Sequence, residues 1–445
     1  MKKLNILPIV VMYLLFFMIA FVTNLCNPMA VIVKSNFAMS NFAAQLGNAA
    51  NFIAYAVMGI PAGYLLRKIG YRRTALVAIL VGLSGVFLQY MSGWSSIHNF
   101  WVYLIGAFIA GCCMCMLNTV VNPMLHMLGG GGNKGNQLVQ FGGVCGSTAA
   151  VLVTIIMGGL IADVSKAQIA DATPALMIAL GVFALAFVVL LVSKIPEPDI
   201  KETLQQDGQS PKGRPEGGKG YKREKQYSAF SFRHFNLGMV AIFMYLGIEV
   251  GVPNYVMQFL TTVPTEATPG LGISPSIAGM IVAVYWLLML IGRFLGGLIS
   301  GKVSSRTQII AVASLSLVLV GLGMFLPDRW MVDMPGVDWA TMSVIHAEVP
   351  VGVLALILVG LCTSVMWGGI FNMAVEGLGK YTSIASGAFM TMVCGGGILI
   401  PLQGQVADMF GDFRWSYVVV LGCAVYILYY ALLGYKNVNG DIPTE

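Results

Sequence analysis

The chain is short of charge. Of its 445 residues only 10% are Asp, Glu, Lys or Arg, against about 25% in ordinary soluble domains. That scarcity excludes a soluble globular protein, and 57% hydrophobic residues point to an integral membrane protein. Enzyme signatures are missing as well: there is no phosphate-binding loop, no nucleophile elbow and no paired-histidine spacing. ATP-driven transport and an enzymatic reading are therefore set aside. Eight cysteines are present, nearly all inside apolar runs, and the close group Cys112, Cys113 and Cys115 has no second cluster to complete a metal site or a disulfide framework. They read as small packing residues, so no metal or cofactor is expected. Short alternating segments of the barrel type are absent too. The opening Met1-Lys2-Lys3 and apolar run is too long for a signal peptide and is followed by no small-residue cleavage site, which makes it the first membrane helix.

What the chain has is long apolar runs. A membrane helix needs about 20 such residues, and twelve windows qualify: 7–33, 41–66, 73–92, 100–128, 137–162, 173–193, 235–262, 275–300, 308–326, 350–374, 381–406 and 414–436. With both termini in the cytoplasm, every one of the 25 Lys and Arg lies inside except Lys34, Lys166, Arg329 and Arg414 outside and Arg293 within a span. That asymmetry fixes the expected orientation, and it explains the net charge of +6 without a nucleic-acid partner. Residues 194–234, with "QQDGQSPKGRPEGGKGYKREKQ", read as a flexible cytoplasmic linker between two six-helix bundles, 1–193 and 235–445. The expected architecture is thus an all-α membrane protein of twelve transmembrane helices. A polar insertion from Pro327 to Pro350 lies outside, its Trp330 and Trp339 expected at headgroup level.

The two halves echo one another. A shift of 225 lays "NLCNP" (Asn24 to Pro28) over "EVGVP" (Glu249 to Pro253), and a shift of 234 matches Gly63 with Gly297, Lys68 with Lys302 and Arg72 with Arg306. Spans 1 and 7 are therefore expected to break at Pro28 and Pro253, giving hinges with free carbonyls. Carriers built from such repeats hold their substrate between the halves, beside interrupted helices.

Polar groups inside lipid cost several kcal/mol when unsatisfied, so they face partners or a wet cavity. Asn24 and Asn27 share a helix face, as do Asn118 and Asn122; Gln45, Asn48, Asn51 and Tyr55 form a stripe on span 2; Gln140 opens span 5. The second half adds Glu249, Asn254, Gln258, Asn372 and Gln403, with Tyr285, Trp286 and Trp367 nearby. Amides offer donors and acceptors to a polyol, and aromatic faces pack on sugar C–H surfaces. The alternative is plain interhelical hydrogen bonding, worth roughly 0.6 kcal/mol per contact. Glu249 is the one acidic residue deep in a span and the candidate for ion coupling. Arg293, near the cytoplasmic end of span 8, reads as a structural or gating residue, and His126 as a packed histidine.

Three stretches carry a resemblance. "PAGYLLRKIGYRR" (61–73), with Arg67 in place of the usual acidic residue, "NTVVNPMLHMLG" (118–129) followed by "NQLVQFGGVCG" (136–146), and "FNMAVEGLGKYTSIASGAFMTMVCGGGILIPLQGQVAD" (371–408) are similar to the major facilitator superfamily, and within it to the fucose, galactose and hexose:proton symporters. The resemblance implies alternating access, a monosaccharide cavity, and sugar-path roles for Asn122 and Gln140. It also marks two departures: Asn27 and Asn118 stand where the fucose type has carboxylates. An amide cannot cycle a proton, so coupling is left open between a proton on Glu249, sodium at the Pro28 carbonyls with Asn24 or Asn27, and uniport. The leading reading is uptake of a neutral hexose or deoxyhexose by a monomer in a bacterial inner membrane. An acidic sugar, multidrug efflux and a non-transporting sensor are the alternatives.

The site set is therefore Asn24, Asn27, Asn48, Asn51, Asn118, Asn122, Gln140, Glu249, Asn254, Trp367 and Asn372 for substrate, with Pro28, Pro253, Arg67, Arg72 and Arg293 for structure or gating.

Overall fold

A computed structural model describes residues 6–37, 39, 46–130, 132–160, 168–193, 227–265, 267–300, 302–338, 343–439 and 442. Twelve helical segments among them are long and apolar enough to cross a membrane. Spans 1 to 6 are Ile6–Asn36, Leu46–Ile69, Tyr71–Met91, Phe100–Leu128, Gly132–Leu160 and Thr173–Val192. Spans 8, 9 and 12 are Pro275–Ile299, Ser305–Phe325 and Tyr417–Tyr429. Most of the linker, 194–226, lies outside the described residues; the chain re-enters with a short turn at Ala229–Ser231 and starts span 7 at Arg233.

Among the described residues, three spans are not continuous. Span 7 is Arg233–Glu249 then Gly251–Thr261, span 10 is Val351–Thr363 then Met366–Val375, and span 11 is Thr382–Thr391 then Gly395–Phe410, joined by a tight turn at Met392–Cys394. The expected break in span 1 does not occur, because the helix runs through Pro28 to Asn36. A proline removes one N–H and crowds the carbonyl four residues back, but a helix held on both sides by packing tolerates it. In span 7 the opening falls at Val250, three residues before Pro253. Its loose carbonyls are claimed by side chains: Tyr285 Oη donates to Glu249 O at 3.1 Å, and Gln403 Nε2 donates to Gly247 O at 3.1 Å. Glu249 O is the carbonyl that Pro253 leaves without its helical donor.

The repeat read in the sequence has physical counterparts. Arg72 donates to Leu190 O and Leu191 O at the end of span 6, and Arg306 Nε donates to Ala431 O at 3.1 Å, just past span 12. Each guanidinium thus caps the last helix of its own half, where carbonyls lack partners. Gly63 and Gly297 also match in role: Gly63 meets Gly387 of span 11, and Gly297 meets Gln140 and Phe141 of span 5. Both glycines let helices from opposite halves approach closely.

The polar insertion between spans 9 and 10 is not irregular. Met331–Asp338 (β1) pairs antiparallel with Ser343–Pro350 (β2), with Asp333 opposite Glu348 and Pro335 opposite His346, and β1 packs on span 8. His346 Nδ1 lies 2.8 Å from Asp333 Oδ2. The strand signal was present in the β-branched run around Val344 and Ile345. Trp330 is exposed, while Trp339 lies outside the described residues. Arg414 ties this region down by pairing with Asp328 and with Asp412.

Candidate functional site

Spans 1, 2, 4 and 5 meet spans 7, 8, 10 and 11 around a cavity of about 150 Å³ between the two halves. Val250, Ser364 and Val393 line it, and these are the residues at the openings of spans 7, 10 and 11. The three interrupted helices therefore converge on one place. Only that of span 7 is signalled by a proline; those of spans 10 and 11 fall beside the glycines of "MWGG" and "VCGGG".

Two polar pairs face the cavity. From the first half, Asn118 Nδ2 donates to Tyr55 Oη at 3.0 Å. From the second, Arg293 Nη2 donates to Glu249 Oε1 at 3.1 Å, the two side chains only 14% and 15% exposed. The guanidinium does more than neutralise this carboxylate. Its Nη1 crosses to span 5 and donates to Gly143 O at 2.8 Å and to Ser147 Oγ at 3.1 Å. Room for that reach comes from glycine: a Cβ on Gly143 would lie 3.0 Å from Arg293 Cδ. Arg293 is thus a cavity-wall residue bonded both to span 7 of its own half and to span 5 of the other.

Of the residues read from the sequence, the structure brings Asn24, Asn118, Gln140, Glu249, Trp367 and Arg293 to the cavity. One amide N–H of Asn24 is held by Ala20 O at 2.8 Å. The aromatic wall is Phe16, Phe52, Tyr55, Trp286 and Trp367. Other candidates are elsewhere. Asn51 is buried with its Nδ2 on Cys26 Sγ at 2.9 Å, and Asn122 folds back on Asn118 O at 2.9 Å. Asn48 is likewise buried away from the cavity wall. Asn254 accepts from Gln258 Nε2 at 3.1 Å, outside the cavity. Asn372 donates to Ser305 Oγ at 3.1 Å and lines a separate pocket with Lys302, Arg306 and Glu376. Arg67 and Arg72 lie off the cavity as well, and the Asn27 side chain falls outside the described residues. Sequence reasoning missed Ser147, Thr23 and Ser364, which add hydroxyls to the wall. A lone Ser or Thr in an apolar run bonds readily to its own helix backbone, so it draws less attention than an amide or an acid.

Twelve membrane helices, a mainly apolar cavity between the two halves that carries a few polar side chains, and interrupted helices around it define a membrane transport protein. The Major Facilitator Superfamily profile matches residues 12–401, and the chain belongs to that superfamily. It is a transporter and not an enzyme. Among its relatives, a glucose/galactose transporter of Brucella abortus is 26% identical over 95% of this chain and 93% of its own. The L-fucose-proton symporter of Escherichia coli is 22% identical over 96% of this chain and 92% of its own. A crystal structure of the transporter FucP in the outward conformation superposes with a TM-score of 0.69 at 21% identity, covering 95% of this chain and 97% of that one. The fold expected from the sequence is the fold observed, with the β-hairpin as an addition.

Proposed function

We propose that this chain imports a neutral monosaccharide, a hexose or deoxyhexose, by alternating access, and that a proton carried on Glu249 drives it. The observation that carries the reading is the cavity wall: amides of Asn24, Asn118 and Gln140, the Tyr55 and Ser147 hydroxyls and the Trp286 and Trp367 faces surround a single carboxylate. Such a wall offers donors, acceptors and flat apolar surfaces together, which suits a polyol better than a greasy cation. The full-length relatives named for glucose, galactose and fucose support the substrate class, and the proton named for the fucose relative supports the ion. Sodium is less favoured, since span 1 remains helical through Pro28 and opens no carbonyl cage there. The basic-inside asymmetry supports a cytoplasmic location for both termini in a bacterial cell.

A second reading is favoured by Arg293, whose guanidinium in the cavity wall suits the carboxylate of an acidic sugar. Uptake of a monosaccharide panel into membrane vesicles, with pH and sodium gradients imposed separately, tests both. Accumulation of a neutral hexose driven by an inward proton gradient is the expected result. Accumulation only of uronic or sialic acids selects the second reading, and dye extrusion with no sugar accumulated overturns both.

A further inference from the structure

The mechanism needs proton and sugar to bind together, and the neighbourhood of Glu249 suggests how. The charged residues lining the cavity, among those described, are Glu249 and Arg293. Around the carboxylate stand Arg293 from span 8 and Tyr245 one turn back on span 7; Tyr285 of span 8 takes the backbone carbonyl, and its hydroxyl lies 3.2 Å from Thr363 Oγ1 of span 10. Arg293 Nη2 is engaged by Glu249, while Nη1 is engaged by Gly143 O and Ser147 Oγ on the other half. While Glu249 is ionised, the arm of the guanidinium facing it is occupied. Protonating Glu249 cancels the ion pair and replaces an acceptor oxygen by an O–H, which leaves Arg293 a cavity cation with a donor to spare.

We propose that Arg293 is the coupling residue between proton and substrate: a proton on Glu249 frees the guanidinium arm to donate to a substrate oxygen, so proton and sugar load cooperatively. The inference rests on the proposed function above. It adds the specificity group that function lacks, since the wall otherwise holds only neutral donors. Cooperativity follows by linkage. If the proton raises sugar affinity by some factor, the sugar raises proton affinity by the same factor. Arg293 is also the bond between spans 5 and 8, so a change in its partners is felt by both halves.

The test is equilibrium binding of D-galactose, D-glucose and L-fucose to purified protein between pH 5 and 9. Wild type should bind more tightly as pH falls, by up to about tenfold per pH unit above the midpoint. Glu249→Gln should bind at the tight limit at every pH and exchange sugar across vesicles without accumulating it. Arg293→Gln should lose about tenfold or more in affinity and lose the pH dependence, the scale of one charge-assisted hydrogen bond. Because that variant leaves a carboxylate unpaired and is at risk of misfolding, the double variant Glu249→Gln with Arg293→Gln is measured beside it. It carries no buried charge and should bind weakly and independently of pH. Tight binding by the double variant, equal to that of Glu249→Gln alone, overturns the role of Arg293, as does a wild-type pH profile in Arg293→Gln. Pure pH dependence surviving in Glu249→Gln removes the proton site and the proposal with it. Absence of binding of all three sugars to wild type at every pH overturns instead the substrate class on which the inference stands.

Discussion

At the scale of single residues, the cavity separates amides that face a ligand from amides that hold helices together. Asn118 lines the cavity, while Asn51 spends its Nδ2 on Cys26 Sγ between spans 1 and 2. Asn118→Ala is therefore expected to raise KM for sugar severalfold and, because its Nδ2 also bonds Tyr55 Oη, to cost about 1 kcal/mol of stability as well. Asn51→Ala should cost a similar amount of stability with KM nearly unchanged; transport kinetics and detergent melting curves together separate the two. This division was only half legible in the sequence. Polar side chains in apolar runs are conspicuous because lipid offers them nothing, which is why Asn24, Asn118, Gln140 and Glu249 could be picked out. A stripe at helical spacing does not say which neighbour it faces. On span 2, Tyr55 reaches the cavity and Asn51 does not, although both belong to one stripe. That Arg293, read as a structural or gating residue near the end of span 8, also lines the cavity was not legible for a related reason: position along a helix does not say which neighbour a long side chain reaches. The signals pointing inward were the unpaired acid Glu249 and the glycines of "FGGVCG", which leave space for a long side chain.

At the scale of elements, spans 1 and 7 carry the same proline and behave differently. Span 7 opens at Val250 and span 1 does not, so the proline alone does not decide the break. What differs is the company of span 7: Tyr285 and Gln403 supply donors to its carbonyls, and an opened helix is stable only where such donors exist. Tyr285→Phe should thus cost about 1 kcal/mol by leaving Glu249 O without a donor. In a Pro253→Ala background the penalty should shrink, because alanine restores the N–H that the same carbonyl would take. A double-mutant cycle on melting free energies checks this, and equal penalties in both backgrounds would show that the tyrosine serves another purpose. Gly395 makes a matching demand at the opening of span 11. A methyl group there would land on the Phe243 carbonyl of span 7, so Gly395→Ala is expected to destabilise by roughly 1–3 kcal/mol. Helix number and extent were readable because apolar length is a one-dimensional property. The openings of spans 10 and 11 were not, because glycine marks close packing far more often than a break.

At the scale of the whole molecule, the two halves contact one another through equivalent pairs, span 2 with span 11 and span 5 with span 8. Gly63 approaches Gly387 across the first, and Gly297 approaches Gln140 and Phe141 across the second, although the sequence showed only that Gly63 and Gly297 correspond. A repeat read in one dimension thus fixes two contacts in three. The same geometry bears on how transport proceeds. A central cavity between the halves must be reached from one side and then the other, so helices that touch across the halves must part at some stage. Gly63 and Gly387 provide a place to test this, since a Cβ on Gly63 would lie 3.6 Å from Gly387 Cα, and one on Gly387 would lie 3.5 Å from Gly63 Cα. Those separations fall within reach of a disulfide. The eight native cysteines, all free among the described residues, would first be replaced by alanine or serine. In that background, Gly63→Cys with Gly387→Cys should cross-link on mild oxidation, abolish sugar uptake while oxidised, and recover it on reduction. Sugar binding should survive the cross-link, because neither glycine lines the cavity. Uptake at the reduced rate despite complete cross-linking would mean that spans 2 and 11 stay together throughout the cycle, and that the halves pivot about this contact instead of parting at it.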